Sequence, residues 1–313
     1  MSVNLVKSNV NDSSHGSKII NGDSAQVSEG GFIKSPINYT GGKYRLLSQI
    51  LPLFPQDIGT FLDLFCGSAT VGINCKQAKH VIFNDINYRL IEIFQKFQEL
   101  STNDIIDKIH KNIDYYKLSK TNRNGFLSFR NDYNMNPDPI DLYTLVAFSF
   151  NYQFRFNNKM QYNNPFGKNR SCYSTRMEKN LIKFINRLHE IDAVFSSVYF
   201  NKINTSDFQA GDFVYADPPY LITTGSYNDG TRGFGDWTET QDKELMMMLD
   251  GLNDNGIRFA MSNVLTHKGK KNEQLLNWIN KNKYNIHHLN FNYNNSSYNT
   301  KHGETDEVLI TNY

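Results

Sequence analysis

The chain predicts an α/β fold built on an open, mainly parallel sheet, and three strand-to-turn junctions carry that prediction. The segment from Thr60 to Gly72 runs from an apolar strand, Thr60-Phe61-Leu62-Asp63-Leu64, through Phe65 and the small residues Cys66-Gly67-Ser68-Ala69 into a helical start. His80-Val81-Ile82-Phe83-Asn84 is a second apolar strand, stopping at Asp85. Phe213-Val214-Tyr215-Ala216 is a third, stopping at Asp217-Pro218-Pro219-Tyr220. Strands apolar on both faces belong inside a sheet that helices cover on both sides. Ligands of such sheets bind beyond the carboxyl ends of the strands, where all three junctions fall.

The remaining elements follow in chain order. Residues 1–31 are rich in Ser, Asn and Gly with few apolar positions, so they read as a flexible tail outside the core. Leu46, Leu47, Ile50 and Leu51 have helical spacing, and Pro52 and Pro55 close that helix. Two strand-helix units then extend to about Leu100. From Ser101 the composition shifts to Asn, Tyr, Phe and Lys with amphipathic helices, among them Asp138 to Tyr152 behind two prolines. Ile203 onward returns to the sheet pattern, with the strand at Phe213, a helix at Thr240 to Asn253, a strand at Ile257 to Met261, a helix at Asn272 to Asn282 and two closing strands. The expected organisation is one domain made of 32–100 and 201–313, interrupted by a mainly helical subdomain at 101–200 that carries a hairpin near 154–168. No internal repeat is visible.

Composition sets bounds. A chain of 313 residues can bury a sizeable core. Its net charge of +2 says little, but between Arg155 and Arg187 stand Arg155, Lys159, Lys168, Arg170, Arg176, Lys179, Lys183 and Arg187 against the single acid Glu178. Such a local excess suits a phosphate backbone; for Lys179, Lys183 and Arg187 a solvated helix face is an equal alternative. Cys66, Cys75 and Cys172 have neither metal-ligand spacing nor an even count for a disulfide framework, and Cys66 reads as a small turn residue. No metal site is expected. With no long apolar run and no signal-peptide core, the expectation is a soluble cytoplasmic protein.

Asp217-Pro218-Pro219-Tyr220 defines a chemical task. An exocyclic amine on a planar base is a poor nucleophile until acceptors draw on its N–H groups. Asp217 and the Pro218 carbonyl are such acceptors, proline fixing φ and removing a competing N–H. Tyr220 offers a flat face for a base taken out of its helix. The bland alternative is a structural turn with Asp217 as a helix cap. Asp85, about twenty residues beyond the small-residue turn, stands where an acid bonds a ribose hydroxyl, or else caps the next helix. Gly42-Lys43 is not a P-loop, because G-x-x-x-x-G-K-[ST] is unmet and Tyr44 follows the lysine.

Taken in order, Tyr39-Thr40-Gly41-Gly42-Lys43, Phe65-Cys66-Gly67-Ser68-Ala69, Asn84-Asp85, Asp207-Phe208 and Asp217-Pro218-Pro219-Tyr220 resemble the motifs of DNA adenine N6-methyltransferases of the Dam type, from about Lys34 to the C-terminus. Arg155 to Gly167 resembles the hairpin with which that family grips DNA, and Glu307 to Tyr313 its final strand. The resemblance implies a Rossmann-like methyltransferase sheet with an inserted target-recognition subdomain, S-adenosylmethionine as methyl donor and double-stranded DNA as partner. It also allows a cognate restriction endonuclease reading the same site without a stable complex. Tyr39, Lys43, Phe65, Gly67, Asp85, Asp207, Phe208 and Asp217 match its cofactor positions. Asp217, Pro218, Pro219 and Tyr220 match its catalytic motif. Phe150 falls near a wedge position, Asn151 and Arg155 at base-reading positions, and Pro165 near backbone contacts. Asn157 and Lys168 complete the expected DNA surface. Ala69 stands where the family's second turn glycine is common. Asn38 and Asn169 replace a lysine and a tyrosine frequent in readers of GATC, which points away from that site. Cytosine N4 methylation, in which Ser more often opens the four-residue motif, and a DNA-binding relative that has lost transfer remain as alternatives.

Overall fold

The computed structural model describes residues 31–223, 237–290 and 305–313, so all of the expected tail except Gly31 lies outside the described residues. Lys43 to Leu53 is helical throughout, with tight turns at Lys43–Leu46 and Leu51–Leu53 around α1 (Leu47–Ile50), and Pro52 sits in the last turn. There follow β1 (Ile58–Asp63), α2 (Thr70–Asn74), β2 (Ala78–Asn84) and α3 (Tyr88–Glu99). Four helices come next: α4 (Thr102–Tyr115), α5 (Arg123–Met135), α6 (Pro139–Phe148) and α7 (Thr175–Glu190). The rest is β3 (Asp192–Ser196), β4 (Phe213–Ala216), α8 (Glu239–Asp254), β5 (Arg258–His267), β6 (Lys270–Lys271), α9 (Glu273–Asn282), β7 (Asn285–Leu289) and β8 (Thr305–Thr311).

The sheet runs β3-β2-β1-β4-β5-β8-β7, with β6 paired to the end of β5. From β3 to β5 all neighbours are parallel, while β8 is antiparallel to both β5 and β7. Strand order reverses between β1 and β4, so the carboxyl ends of these two strands, at Asp63 and Ala216, flank the crevice where such sheets hold ligands.

Alternation along each strand feeds two cores. Phe61, Phe83, Phe213 and Tyr215 face a layer containing α1, α3, α6 and α7, whereas Leu62, Ile82, Val214, Phe259 and Met261 face α8 and α9. The first core continues without a break through α4 and α5 to Phe154, Phe156 and Tyr162 of the hairpin. The helical region is therefore rooted in the same packing as the sheet. Its pivot is α6, apolar on every side because it packs against α3, α4 and α5. Pro139 opens that helix, and Asp138 caps it by accepting the Ile140 and Asp141 N–H groups at 2.9 and 3.1 Å.

Two boundaries differ from the sequence expectation. The edge strand β3 pairs with β2 from inside the interval 101–200 expected for the insertion; it is short and half-buried, which hid its apolar pattern. The helix expected from Asp138 to Tyr152 stops at Phe148, and Asn151 and Tyr152 take left-handed backbone at φ 54° and 55°. Consecutive left-handed residues cannot continue an α-helix. Among the described residues, no helix is long and apolar enough to cross a membrane.

Candidate active site

The small-residue turn after β1 is bolted to both neighbouring strands. The Leu64 N–H donates to the Tyr215 carbonyl at 2.9 Å and the Cys66 N–H to the Asn84 carbonyl at 2.8 Å, while Asn84 Nδ2 donates to the Leu64 carbonyl at 3.0 Å. Gly67 has φ 47°, and a Cβ there would come within 3.1 Å of the Tyr39 ring. Glycine is thus favoured both by the left-handed backbone and by the ring lying over it. Ala69 also holds left-handed backbone, φ 56°, at a cost of about 1–2 kcal/mol that a glycine would not incur.

Asp85, beyond the end of β2, closes this turn from the other side. Its Oδ2 accepts the Gly67 N–H at 3.0 Å and its Oδ1 the Asn87 N–H at 2.8 Å. The cap of α3 is Asn87. Burial pushes the Asp85 carboxyl above its ordinary range, and the two backbone N–H groups pull it part of the way back. Burial first, then the nearby Asp85 charge, likewise raises the Tyr39 phenol. Phe65 points to the opposite face of the sheet, with the Phe200 and Trp237 rings each 5.5 Å away. Phe208 packs half-buried on that same core, and Asp207 is exposed.

At the end of β4, Asp217 meets residues from three other places in the chain. Lys43 Nζ lies 2.8 Å from Asp217 Oδ2 and 3.6 Å from Glu307 Oε1, and donates to the Gly41 carbonyl at 2.9 Å. The Tyr220 hydroxyl stands 3.0 Å from Asp217 Oδ1 and 3.1 Å from Glu307 Oε1. Side-chain exposures of 6, 17 and 13 % for Lys43, Asp217 and Glu307 put this ion cluster in a weakly screened environment. Burial raises the Asp217 and Glu307 carboxyls, and the Lys43 ammonium opposes it at both.

Lys43, expected among the cofactor contacts, directs its ammonium to Asp217, because a buried cation needs an anion beside it. Tyr220, expected to offer a flat face to a base, is buried with Lys43 Nζ 5.1 Å from its centroid. Pro218 is buried and Pro219 exposed beside it.

Asp63 was not singled out from sequence. It is buried at the end of β1, its Oδ2 accepting the Gly72 N–H at 3.0 Å, and burial pushes its carboxyl up to about 8. The native protein therefore holds a proton there at neutral pH that the unfolded chain releases. A folded-state value above the unfolded one contributes stability that is complete below pH 4 and lost as pH rises through about 8. Asp63→Asn removes that titration, so the fall in stability between pH 5 and pH 8 should become shallower by up to about 1.4 kcal/mol per pH unit. Urea denaturation at several pH values checks this, and identical slopes for the two proteins would refute it.

The hairpin segment places its side chains alternately. Phe154 and Phe156 are buried and Arg155 between them is exposed, with the Asn163 N–H donating to the Arg155 carbonyl at 3.0 Å. Asn157 was expected on the DNA surface. Its Oδ1 accepts the Lys159 and Gln161 N–H groups at 2.9 and 3.0 Å, and its Nδ2 donates to Gln161 Oε1, which is how an Asx residue builds a tight tip. Phe150 is 39 % exposed with the Arg170 guanidinium 5.2 Å from its ring centroid, and its N–H donates to the Pro165 carbonyl at 2.7 Å. Asn151, Pro165 and Lys168 are exposed nearby in the chain.

Two contacts tie this segment to the turn. Asn38 Nδ2 donates to the Asn151 carbonyl at 3.2 Å, and the Tyr39 and Phe154 rings lie 6.5 Å apart. Glu307 and Asn38 are thus site residues whose contacts sequence reasoning missed. The signal for Glu307 was present: a charge that opens the apolar run Val308-Leu309-Ile310 must find a partner.

Residues 39–295 match the family model described as D12 class N6 adenine-specific DNA methyltransferase. The chain is 55 % identical over 282 residues to the modification methylase StsI of Streptococcus sanguinis, covering 90 % of this chain and 43 % of that protein. It is 54 % identical over 282 residues to the type II methyltransferase M.FokI of Planomicrobium okeanokoites, with the same coverage of each. The chain thus spans less than half the length of these two relatives. To the DNA adenine methylase of Escherichia coli K12 it is 25 % identical over 234 residues, 72 % of this chain and 79 % of that protein.

Proposed function

The chain belongs to the D12 class of N6 adenine-specific DNA methyltransferases, and from that premise we propose that it methylates N6 of an adenine turned out of duplex DNA, with S-adenosylmethionine as donor. The observation that carries this reading is the half-buried Asp217, held from both sides by Lys43 and Tyr220 at the carboxyl end of β4, beside the crevice where strand order reverses.

The residues present suit such a donor. Gly67 leaves the turn without a side chain, Asp85 is a carboxylate at the neighbouring strand end, and Phe65 and Phe208 lie on an aromatic layer that suits a planar ring. When bound, S-adenosylmethionine supplies a methyl group on a positively charged sulfur. Asp217 and the Pro218 carbonyl accept hydrogen bonds from the two N–H groups of the adenine amine, which returns lone-pair density to that nitrogen. As the nitrogen becomes cationic, the Asp217 carboxylate stabilises it, a preorganised electrostatic contribution of the kind that dominates many active sites, and the surplus N6 proton is lost after transfer. Orientation of the flat base over the crevice supplies much of the remainder.

On the DNA side, Arg155, Asn151 and Phe150 form the proposed reading edge, with Lys168 and the Pro165 region on the backbone. An arginine forked onto guanine O6 and N7 discriminates by about 1–3 kcal/mol. Arg155→Ala should relax choice at one base pair of the site by that amount while leaving thermal stability unchanged, since its side chain is exposed. Competition methylation of duplexes differing at single positions measures it, and uniform weakening across all sequences would reassign Arg155 to phosphate contact. Because relatives are named modification methylases and type II methyltransferases, we also assign the chain to a restriction-modification pair in which a cognate endonuclease acts on the same site.

The deciding experiment is incubation with labelled S-adenosylmethionine and unmethylated duplex DNA of high sequence diversity, followed by nucleoside analysis and mapping. N6-methyladenine at one short motif is expected. N4-methylcytosine, or bound but unmodified DNA, would overturn the proposal.

A further inference from the structure

The Tyr220 hydroxyl has one proton and two acceptors at nearly equal distance, Asp217 Oδ1 at 3.0 Å and Glu307 Oε1 at 3.1 Å. The Lys43 ammonium is likewise shared, 2.8 Å from Asp217 Oδ2 and 3.6 Å from Glu307 Oε1. Each oxygen of Asp217 therefore has a donor before any base arrives, and an incoming amine must compete with these donors for its lone pairs. Both donors already lie within reach of a second carboxylate. That carboxylate stands on β8, two strands away from β4 in the sheet.

A backbone feature aims it there. Glu307 pairs with Val264 and Asp306 with Thr266, so Leu265 is an extra residue on β5 opposite this point. A bulge of this kind kinks the strand pair and redirects side chains, and bulges concentrate beside functional sites. Asp306 next to it bonds His288 instead, at 2.8 Å.

Building on the proposed function, we infer that Glu307 is a positioning residue for the transfer. It takes over the Tyr220 hydroxyl when one N–H of the adenine amino group occupies Asp217 Oδ1. No proton leaves the cluster in this exchange. Tyr220 redirects its O–H from Asp217 to Glu307, one amine N–H takes its place at Asp217, the other goes to the Pro218 carbonyl, and Lys43 stays between the two carboxylates. The charged or titratable groups facing Asp217 are Lys43, Asp63 from β1, Tyr215 from β4, Tyr220, and Glu307 from β8. Removing the Glu307 charge takes away a like charge and gives Asp217 a larger share of the Lys43 ammonium and the Tyr220 hydroxyl.

The test uses Glu307→Gln, which keeps the side chain's shape and one carbonyl oxygen, with Glu307→Asp as a second variant that keeps the charge. In the protein without DNA, 13C NMR of the Asp217 carboxyl should show its titration midpoint fall by about one unit or more in Glu307→Gln, the size expected on removing a neighbouring like charge, and return towards wild type in Glu307→Asp. Single-turnover methylation of the mapped duplex should fall about 10- to 100-fold in Glu307→Gln, with duplex affinity changed less than about threefold, as for an interaction that matters mainly in the transition state. An unmoved titration, or a moved titration with an unchanged rate, would overturn the inference and leave the proposed function standing. Absence of N6-methyladenine from the wild-type protein would overturn both.

Discussion

Asp217→Ala should lower the single-turnover methylation rate by about 10²- to 10³-fold or more, the usual result of deleting one preorganised electrostatic group at a reacting centre. Affinity for duplex DNA should change by less than about threefold. The separation follows from position. Asp217 lies at the rim of the sheet beyond β4, apart in sequence from the exposed Arg155 and Lys168 proposed to hold DNA. The fold should survive, because Lys43 still has Glu307 and the Gly41 carbonyl as partners. Rapid-quench assays with saturating duplex, together with fluorescence anisotropy for binding, distinguish the two effects. Equal losses of rate and of binding would assign Asp217 to the frame of the site instead of its chemistry.

Lys43→Met is expected to have the largest combined effect, because it removes a buried cation placed between two half-buried carboxylates of the site. Methionine keeps the apolar stem packed, so the change isolates the charge. Taking one partner from a buried pair costs about 3–5 kcal/mol when the other must stay ionised. Asp217 and Glu307 already sit above their ordinary values through burial, and loss of the ammonium raises both further. The sign of the pH dependence follows. Carboxyls whose folded values exceed the unfolded ones contribute stability that is present at low pH and lost as pH rises through the folded values. The variant should therefore approach wild-type stability near pH 4 and fall furthest behind it above neutrality. Its methylation should require higher pH than the wild type, since a protonated Asp217 is a weaker acceptor and carries no charge to stabilise the amine as it becomes cationic. Guanidinium denaturation and rate measurements at pH 5 and pH 8.5 check both statements. A stability deficit independent of pH would mean that Lys43 matters through packing alone.

These effects converge on residues that the sequence treats very differently. Asp217 was legible because Pro218, Pro219 and Tyr220 follow it directly at the end of an apolar strand, so local order alone carries the signal. Gly67 and Asp85 were legible for the same reason, each following an apolar strand that names its own end. Lys43 was legible as a motif member but not in its role, since its partners Asp217 and Glu307 are far along the chain. Asn157 shows the opposite case: residue type in a hairpin suggested a reader of bases, and the contacts that its amide makes at the tip were not legible. Short polar side chains satisfy nearby backbone groups whenever a turn allows it, and that competition is invisible in residue type.

Hydrophobic periodicity and punctuation by glycine and proline are local properties, and they determined the α/β class, the helices Lys43 to Leu53, Glu239–Asp254 and Glu273–Asn282, and the motif order that marks the family. Tertiary structure decided the rest. It placed β3 at the sheet edge and β8 between β5 and β7, and fused the helical region to the sheet through α6. It also brought Glu307 to Asp217 across 90 positions of sequence. Strand order and the pairing of buried charges depend on which distant surfaces bury one another. That choice is made by the whole core, through desolvation and packing that no short window of residues contains.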